Sequence, residues 1–363
     1  FYDLKVGFNE KNFLFQVGDH PKSTKIFNNK YPFFTHKSKF MVKHFEKFFE
    51  WLEKNYLIKN SKVIEVGSND GTFMSYFKKK NYAISGYEPS LNVAKIARAK
   101  GLKVFSNFFN YKNISKNKKI KKQISLICAA NVICHIPNLK DLIKSIDFAL
   151  NDNGLFIFEE PYLGSMFKKV SYDQIYDAHV FIFSLHSVKS IFNSFGFDLI
   201  DAVPQKTHGG SMRYVIARKE KFKIRNRVNN LLLKEKQKKL NKFSSCLKFK
   251  KQCEKSKKIF KQKIVNLKLL GKKICGYAAS AKSTTVLNYC GIDNKYIDYI
   301  VDSTREKIGK FTPGTHIPIK SPNYFKKNYP DVAVLNSWNH KKEILKKEKT
   351  FKKKGGKWMS HVK

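Results

Sequence analysis

The sequence predicts an α/β fold in which two domains each contain a parallel sheet flanked by helices. Its 363 residues are long for one domain and allow two hydrophobic cores. Short apolar runs alternate with helical patterns in "SKVIEVGSNDGTFMSYFKKK" (61–80), "YAISGYEPS" (82–90), "ISLICAANVICHI" (124–136) and "GLFIFEEPY" (154–162). The same strand, turn and helix pattern returns in "KKICGYAASAKSTTVLNYCGI" (272–292). Such alternation is typical of parallel sheets.

Apolar periodicity divides the chain into four predicted segments. Residues 1–60 form a helical lead-in, because "FMVKHFEKFFEWLEKNYL" (40–57) spaces its apolar residues with a helical period. Residues 61–218 form the first α/β domain, and residues 271–363 form a second, smaller one. The lysine-rich stretch 219–270 is interpreted as a basic helical linker, broken along its length. A membrane-surface or nucleic-acid arm is the alternative, but the folded domain that follows favours a linker.

The large positive charge of the chain is only weak evidence for a nucleic-acid partner. The formal net charge is +44, from 72 Lys+Arg against 28 Asp+Glu. Only six of these basic residues are arginine, which leaves 66 lysines spread along the chain. Base edges and phosphates are read mainly by arginine. We therefore interpret the lysines as solvated surface and predict no specific nucleic-acid partner.

Cysteine usage and hydropathy indicate the compartment. The six cysteines form no C-x-x-C pair, and no apolar run approaches the ~18 residues of a membrane span. No signal peptide is visible. We expect a reducing, cytoplasmic setting with no membrane partner, and a piece of a longer protein because the chain begins at Phe1. The oligomeric state, monomer or dimer, stays open.

The motif "VIEVGSNDG" (63–71) predicts a nucleoside site. Gly67 and Gly71 permit a sharp turn after the strand, so that the next helix points its N-terminus at a ligand. Glu88 ends the following strand, twenty-three residues after Glu65, where a carboxylate can bind a ribose diol. The turn lacks G-x-G-x-x-G, so S-adenosylmethionine suits it better than a dinucleotide. An ordinary strand-to-helix corner is the alternative.

Two kinds of nucleic-acid methyltransferase are disfavoured by missing motifs. Enzymes that methylate exocyclic amines place Asn/Asp-Pro-Pro-aromatic after the fourth strand, where this chain has "AANVICH" (129–135). Enzymes that methylate base carbon 5 commonly use a cysteine after a proline, and no Pro-Cys pair occurs. Among the remaining polar motifs, "THGGSMRY" (207–214) is typical of a loop whose backbone donors hold an anion.

Five motifs in order resemble the sugar C-methyltransferases that act on nucleotide-linked 4-keto-deoxyhexoses. They are "EVGSNDGTF", "YDQIYDAHVFIFSLHSV", "THGGSMRYVIARK", "GYAASAKSTTVLNYCGI" and "GKFTPGTHIPI", and the similarity runs from about residue 30 to "GGKWMSHV". The resemblance implies a class I methyltransferase domain followed by a Rossmann-like domain. The family usually has an N-terminal zinc module with four cysteines. Zinc is therefore expected only if such a module lies upstream of Phe1, and no metal ligand is predicted within the chain.

The resemblance implies that His179 removes the proton on carbon 3 of the sugar, which the ketone at carbon 4 acidifies, so that the resulting enolate attacks the methyl group. Tyr176 and His135 match residues that face the reacting centre. Ala178 replaces the family's usual glutamate, and its loss could slow deprotonation. The candidates for compensation are Asp177, Glu159 and Glu160.

The resemblance also assigns binding residues. The cofactor residues, which would hold S-adenosylmethionine together with Glu65, are Gly67, Ser68, Asn69, Asp70, Gly71, Glu88 and Asn131. The substrate residues, which would hold the nucleotide sugar, are Tyr31, His208, Gly209, Ser211, Arg213, Lys282, Ser283, Asn288 and His316. The alternative functions are a nucleic-acid methyltransferase, favoured by the charge, and a catalytically impaired sugar-nucleotide-binding homologue, favoured by Ala178.

Overall fold

The computed structural model of the protein describes residues 2–362. Contacts divide the chain into two units, each assembled from several chain segments. The first comprises the chain up to Tyr162 together with Asp177–Gln205 and Ser211–Asn241. The second comprises Leu163–Tyr176, Lys206–Gly210 and the chain from Lys242 on.

The strands form three sheets. In chain order they are β1 (Val6–Asn9), β2 (Leu14–Val17), β3 (Lys62–Val66), β4 (Ala83–Tyr87), β5 (Lys103–Phe105), β6 (Ile124–Ala130), β7 (Leu150–Pro161), β8 (Phe181–Ile182), β9 (Phe197–Gln205), β10 (Ser211–Arg218), β11 (Ile274–Tyr277), β12 (Tyr299–Val301), β13 (Ile319–Lys320), β14 (Val332–Leu335) and β15 (Lys357–Met359).

The helices connect and cover these strands. In chain order they are α1 (Ser23–Ile26), α2 (Lys39–Asn55), α3 (Thr72–Lys79), α4 (Leu91–Ala99), α5 (Tyr111–Ile114), α6 (Leu139–Ala149), α7 (Leu163–Lys169), α8 (Leu185–Asn193), α9 (Asn226–Gln237), α10 (Phe243–Leu269), α11 (Ala281–Cys290), α12 (Pro322–Lys327), α13 (Lys341–Lys347) and α14 (Lys349–Lys353).

The main sheet of the first unit has the strand order β5-β4-β3-β6-β7-β10-β9. The first five strands are mutually parallel, whereas β10 runs antiparallel to both β7 and β9. Because parallel strands connected by helices end at one edge, the turns after β3, β4, β6 and β7 share the carboxyl edge of the sheet. This arrangement confirms the predicted α/β class.

Helix α2 illustrates how the apolar pattern builds this unit. Ser38 caps the helix, since its side chain accepts the N–H of Met41. The buried residues follow one helical face and are Met41, Phe45, Phe48, Phe49 and Leu52. Phe48 stacks on Phe73 of α3 with 4.9 Å between ring centroids. Full burial of one such side chain contributes roughly 1.5–3 kcal/mol, so this face holds the helix on the sheet.

The predicted helical lead-in is not helical throughout. Strands β1 and β2 pair antiparallel as a hairpin, and β2 pairs with β8 to complete a three-stranded sheet. Helical structure begins only at Ser23. Each strand of the hairpin has only four residues, and neither alternates exposed and buried side chains cleanly, so periodicity could not reveal it.

The second unit contains a five-stranded, all-parallel sheet in the order β13-β12-β11-β14-β15. Its three central strands, β12, β11 and β14, are apolar and buried, as expected of a parallel sheet covered by helices. Helix α11 begins with a capping box, in which Ser280 and Ser283 each bond the backbone N–H of the other. The predicted second α/β domain is thus confirmed.

The predicted linker is two helices that belong to different units. Helix α9 lies in the first unit and α10 in the second, with the break between Gln237 and Phe243. Val228 of α9 is buried in the first core, and Phe249, Phe260 and Ile264 of α10 are buried in the second unit. The basic stretch therefore covers two cores instead of forming a free-standing connection.

Candidate active site

The turn after β3 is shaped by left-handed backbone. Gly67 and Gly71 have φ of 69° and 73°, and Asn69 between them has φ of 47°. A Cβ added to Gly67 would overlap the side chain of Val132, and one added to Gly71 would overlap Leu102. Glycine is therefore required at both ends of the turn, as the motif predicted. Helix α3 begins directly after it, at Thr72.

Glu88 lies against this turn from the end of β4. Its Oε2 accepts the N–H of Asn69 at 2.9 Å, and its Oε1 accepts the N–H of Ser90 at 2.8 Å. The side chain is buried, and burial raises the pKa of Glu88. Two backbone donors thus hold the carboxylate beside the glycine turn, where the sequence placed a ribose contact.

A segment that sequence reasoning missed is tied to the same turn. Asn69 accepts the backbone N–H and the hydroxyl of Thr35, at 3.0 and 3.1 Å, and donates to the carbonyl of Phe33 at 3.1 Å. Asp70 accepts the backbone N–H of His36 at 2.9 Å, and its Oδ2 lies 2.7 Å from Nδ1 of the same histidine. Residues 33–36 therefore cover the turn. Their sequence carried no motif, because the contact joins positions 34 residues apart.

Tyr31 lies in the chain just before this segment. Its carbonyl accepts the side-chain N–H of Asn92 at 2.8 Å. Burial, with smaller contributions from the nearby Glu88 and Cys134, raises the pKa of Tyr31. The phenol therefore stays protonated, and its hydroxyl can donate to a ligand.

Two histidines lie together at the carboxyl edge of the sheet. His135 follows β6 in a short 3₁₀ turn and His179 precedes β8, with 5.1 Å between ring centroids. His135 Nδ1 lies 2.5 Å from the carbonyl oxygen of Ala178. Because that oxygen can only accept, Nδ1 carries the proton and Nε2 keeps its lone pair. Burial lowers the pKa of His135, so this ring is neutral near pH 7.

The three carboxylates that could compensate for Ala178 already have partners. Asp177 accepts the N–H of Ala178 at 2.9 Å. Glu159 pairs with Arg213 at 2.8 Å and with His44 at 2.9 Å. Glu160 accepts the backbone N–H groups of Val132 and Ile133.

Glu160 uses one oxygen to hold the turn that carries His135. Its Oε1 accepts the N–H groups of Val132 and Ile133 at 2.8 and 2.6 Å. The side chain is fully buried, and burial raises the pKa of Glu160 to about 7. The Cys134 thiol also donates a hydrogen bond to this carboxylate. Glu160 is thus a carboxyl group that can hold a proton at neutral pH.

Arg213 lies deep in the first unit. Its guanidinium packs 3.5 Å from the ring centroid of Phe48 and 4.6 Å from that of Trp51, and it bonds Glu159. Only 3% of the residue is exposed. This geometry supports a structural role for Arg213 and gives no support to its predicted contact with a pyrophosphate. Ser211 is also buried, in β10 of the same unit.

The remaining predicted substrate residues, with the catalytic candidate Tyr176, belong to the second unit. Asn288 donates to the carbonyls of Thr284 and Pro313, and Ser283 serves the cap of α11. Three of these substrate candidates, His208, Gly209 and His316, have left-handed backbone. Asn288 and Ser283 thus bond to the backbone in this structure. The ligand contacts predicted for all of these residues stay predictions.

Lys282 is the exception within the second unit. Its ammonium is buried without a hydrogen-bond partner among residues 2–362, and the nearest carboxylate oxygen, Oδ2 of Asp173, lies 4.0 Å away. Burial lowers the pKa of Lys282. Asp173 also accepts the indole N–H of Trp338 at 2.8 Å and lies 3.3 Å from Nε2 of His361. This polar cluster was not foreseen, since its residues lie far apart in the sequence.

Comparisons with known proteins agree with this geometry. Residues 35–202 match the family described as a methyltransferase domain, and residues 206–362 match the C-methyltransferase C-terminal domain. The chain is 27% identical over 321 residues to the C-methyltransferase NovU of Streptomyces niveus, covering 88% of this chain and 76% of that protein. The two matched domains and this relative show an S-adenosylmethionine-dependent C-methyltransferase.

Solved structures similar to this C-methyltransferase match about half of it. The PH0226 protein from Pyrococcus horikoshii is 15% identical, with a TM-score of 0.43, and the match covers 51% of this chain and 94% of that one. Magnesium protoporphyrin IX methyltransferase from Synechocystis is 11% identical, with a TM-score of 0.37, covering 49% and 79%. No helix among residues 2–362 is long and apolar enough to cross a membrane.

The C-methyltransferase has buried polar groups that fit its cofactor. Three buried polar atoms near the turns of β3 and β6 make no hydrogen bond to a described residue: Glu65 Oε2, Ser68 Oγ and Asn131 Oδ1. Buried polar atoms normally have partners, so these atoms suit a polar ligand. Glu65, the turn residues 67–71, Glu88 and Asn131 would hold S-adenosylmethionine, whose sulfonium supplies a methyl group to a nucleophile.

Proposed function

We propose that this enzyme methylates carbon 3 of a nucleotide-linked 4-keto-deoxyhexose, with His179 as the general base. The observation that carries the proposal is the buried His179 ring 5.1 Å from His135, in the unit that contains the glycine turn and Glu88. The five family motifs support the choice of a keto-sugar nucleotide as the substrate. Nucleic acid is a weaker candidate, because neither motif of the base-methylating classes occurs.

The proposed chemistry needs a base at neutral pH. The ketone at carbon 4 acidifies the proton on carbon 3, and an imidazole can remove it because its pKa lies near working pH. His135 supports this step as a neutral ring, since burial lowers its pKa and Ala178 fixes its Nδ1 proton. Its Nε2 can then accept a hydrogen bond from a substrate hydroxyl. The buried setting excludes water that would quench the enolate.

The first test is hydrogen/deuterium exchange at carbon 3 of a 4-keto-deoxyhexose nucleotide in deuterated buffer. We expect exchange in the native enzyme and a loss of about 10²-fold or more in His179→Ala, the usual scale of a general base. His20→Ala is the control, and binding of S-adenosylmethionine verifies that each variant is folded. Equal exchange in His179→Ala and the native enzyme would exclude His179 as the base.

Ala178→Glu tests whether the enzyme is catalytically impaired. A carboxylate at this position would orient a neighbouring imidazole and raise its basicity. We therefore expect at least a ~10-fold gain in carbon 3 exchange, and a shift of its pH profile. Ala178→Gln, which adds the same bulk without charge, is the matched control. An unchanged rate would indicate that another group, such as Glu160, already compensates.

A further inference from the structure

A thiol lies beside the two imidazoles and has no role in the proposed reaction. Cys134 precedes His135 in the same 3₁₀ turn and is fully buried. One ligand atom from each of Cys134, His135 and His179 lies within 4.8 Å of the others. A thiolate with two imidazoles is a donor set typical of Zn²⁺, whereas hard cations prefer oxygen ligands.

The surroundings of this cluster prepare it for a metal ion. His135 Nδ1–H donates to the carbonyl of Ala178, which is the kind of outer bond that orients a metal-binding imidazole and leaves Nε2 as the ligand atom. Glu160 holds the backbone N–H groups of Val132 and Ile133, immediately before Cys134. The turn that carries two of the three ligands is therefore fixed by buried hydrogen bonds.

The distances require only a small adjustment. In a tetrahedral site the metal lies about 2.0–2.3 Å from nitrogen and sulfur, so ligand atoms lie roughly 3.3–3.7 Å apart. Closing from 4.8 Å is within reach of side-chain rotation, because Cys134 and His135 are neighbours on one turn. Three protein ligands leave the fourth position open.

We propose that Cys134, His135 and His179 bind one zinc-class transition-metal ion. The thiol loses its proton to solvent as the metal–sulfur bond forms, so no oxidant or reductant is needed. A His179 that ligates metal cannot accept a proton from substrate. Metal binding and turnover therefore exclude each other, a consequence that rests on the proposed function, whereas binding itself does not.

The test is a titration of the metal-free enzyme with Zn²⁺ by calorimetry, followed by Co²⁺ with absorption spectroscopy. We expect one tight equivalent, and a Co²⁺ spectrum with a thiolate charge-transfer band. Cys134→Ser and His135→Gln should each weaken Zn²⁺ binding at least ~10-fold. Cys246→Ser is the control, because Cys246 is a half-buried cysteine in α10, outside the cluster.

The outcomes separate the two proposals. Zn²⁺ binding that survives in Cys134→Ser, or a Co²⁺ complex without a thiolate band, would overturn the metal site even if a variant folds poorly, because the spectrum is taken on the native chain. Exchange at carbon 3 that Zn²⁺ suppresses in the native enzyme supports both proposals. Stoichiometric Zn²⁺ binding to an enzyme that shows no exchange in any condition would sustain the metal site and refute the proposed base.

Discussion

At the scale of single residues, Glu160 shows how burial changes the chemistry of one group. Burial dominates and raises the pKa of Glu160 to about 7 from an ordinary 4.5, although hydrogen bonds from the Cys134 thiol and from backbone N–H groups favour its charged form. A raised pKa in the folded state means that the folded protein binds a proton more tightly than the unfolded chain does. The stabilisation of the protonated form is fully present below pH 4.5 and is lost as pH rises through about 7.

Glu160→Gln is expected to remove this dependence. Glutamine keeps an oxygen that can accept from Val132 and Ile133, and it carries no charge to desolvate. Relative to the variant, the native chain should lose about 2–3 kcal/mol of unfolding free energy between pH 5 and pH 8, since one pKa unit corresponds to about 1.4 kcal/mol. Urea unfolding at both pH values measures this difference. The control is Glu10→Gln, at an exposed position. If the unfolding free energy of Glu160→Gln differed from that of the native chain by the same amount at both pH values, as expected for the control, the raised pKa of Glu160 would be contradicted.

At the scale of elements, the turn between β3 and α3 is the part of the site that the sequence predicted best. Glycines, a β-branched strand and a following acidic strand end are local signals, and the structure has all of them in the expected places. Contacts between distant segments were missed. Thr35 and His36 on the turn, and Cys134 beside His179, come together only through the tertiary fold.

Gly67→Ala is expected to disrupt the turn more than an equally strained substitution elsewhere. Gly67 and Gly196 both have positive φ, 69° and 81°, so alanine costs each of them roughly 1 kcal/mol of backbone strain. At Gly67 the new Cβ also overlaps Val132, whereas nothing lies within 4 Å of a Cβ at Gly196. We expect S-adenosylmethionine to bind at least ~10-fold more weakly to Gly67→Ala only. Calorimetry measures the affinity of each variant for S-adenosylmethionine. Equal affinities in Gly67→Ala and Gly196→Ala would show that the turn adjusts to the added methyl group without loss of binding.

At the scale of the whole molecule, domain boundaries drawn along the sequence differ from the units that the chain forms. The sequence assigned residues 61–218 to one domain, because strands and helices follow one another there without a break. The structure instead places Leu163–Tyr176 and Lys206–Gly210 in the second unit. Within that unit Tyr172 and Asp173 are buried, and the Tyr172 hydroxyl lies 3.5 Å from Sγ of Cys290. Periodicity cannot reveal such an exchange, because it reports local structure only.

This division predicts that the C-terminal region is incomplete by itself. A fragment of residues 242–363 lacks Asp173, so the buried Lys282 loses its nearest carboxylate and Trp338 loses its acceptor. A buried charge without its partner costs about 3–5 kcal/mol, comparable with the whole stability of a small domain. We expect the fragment not to unfold cooperatively in urea, and joining residues 163–176 to it through a flexible linker to restore a transition. The same extended fragment carrying Asp173→Asn is the matched control, and its unfolding transition should occur at a lower urea concentration. A sharp transition in the bare fragment would show that the second unit folds without this segment.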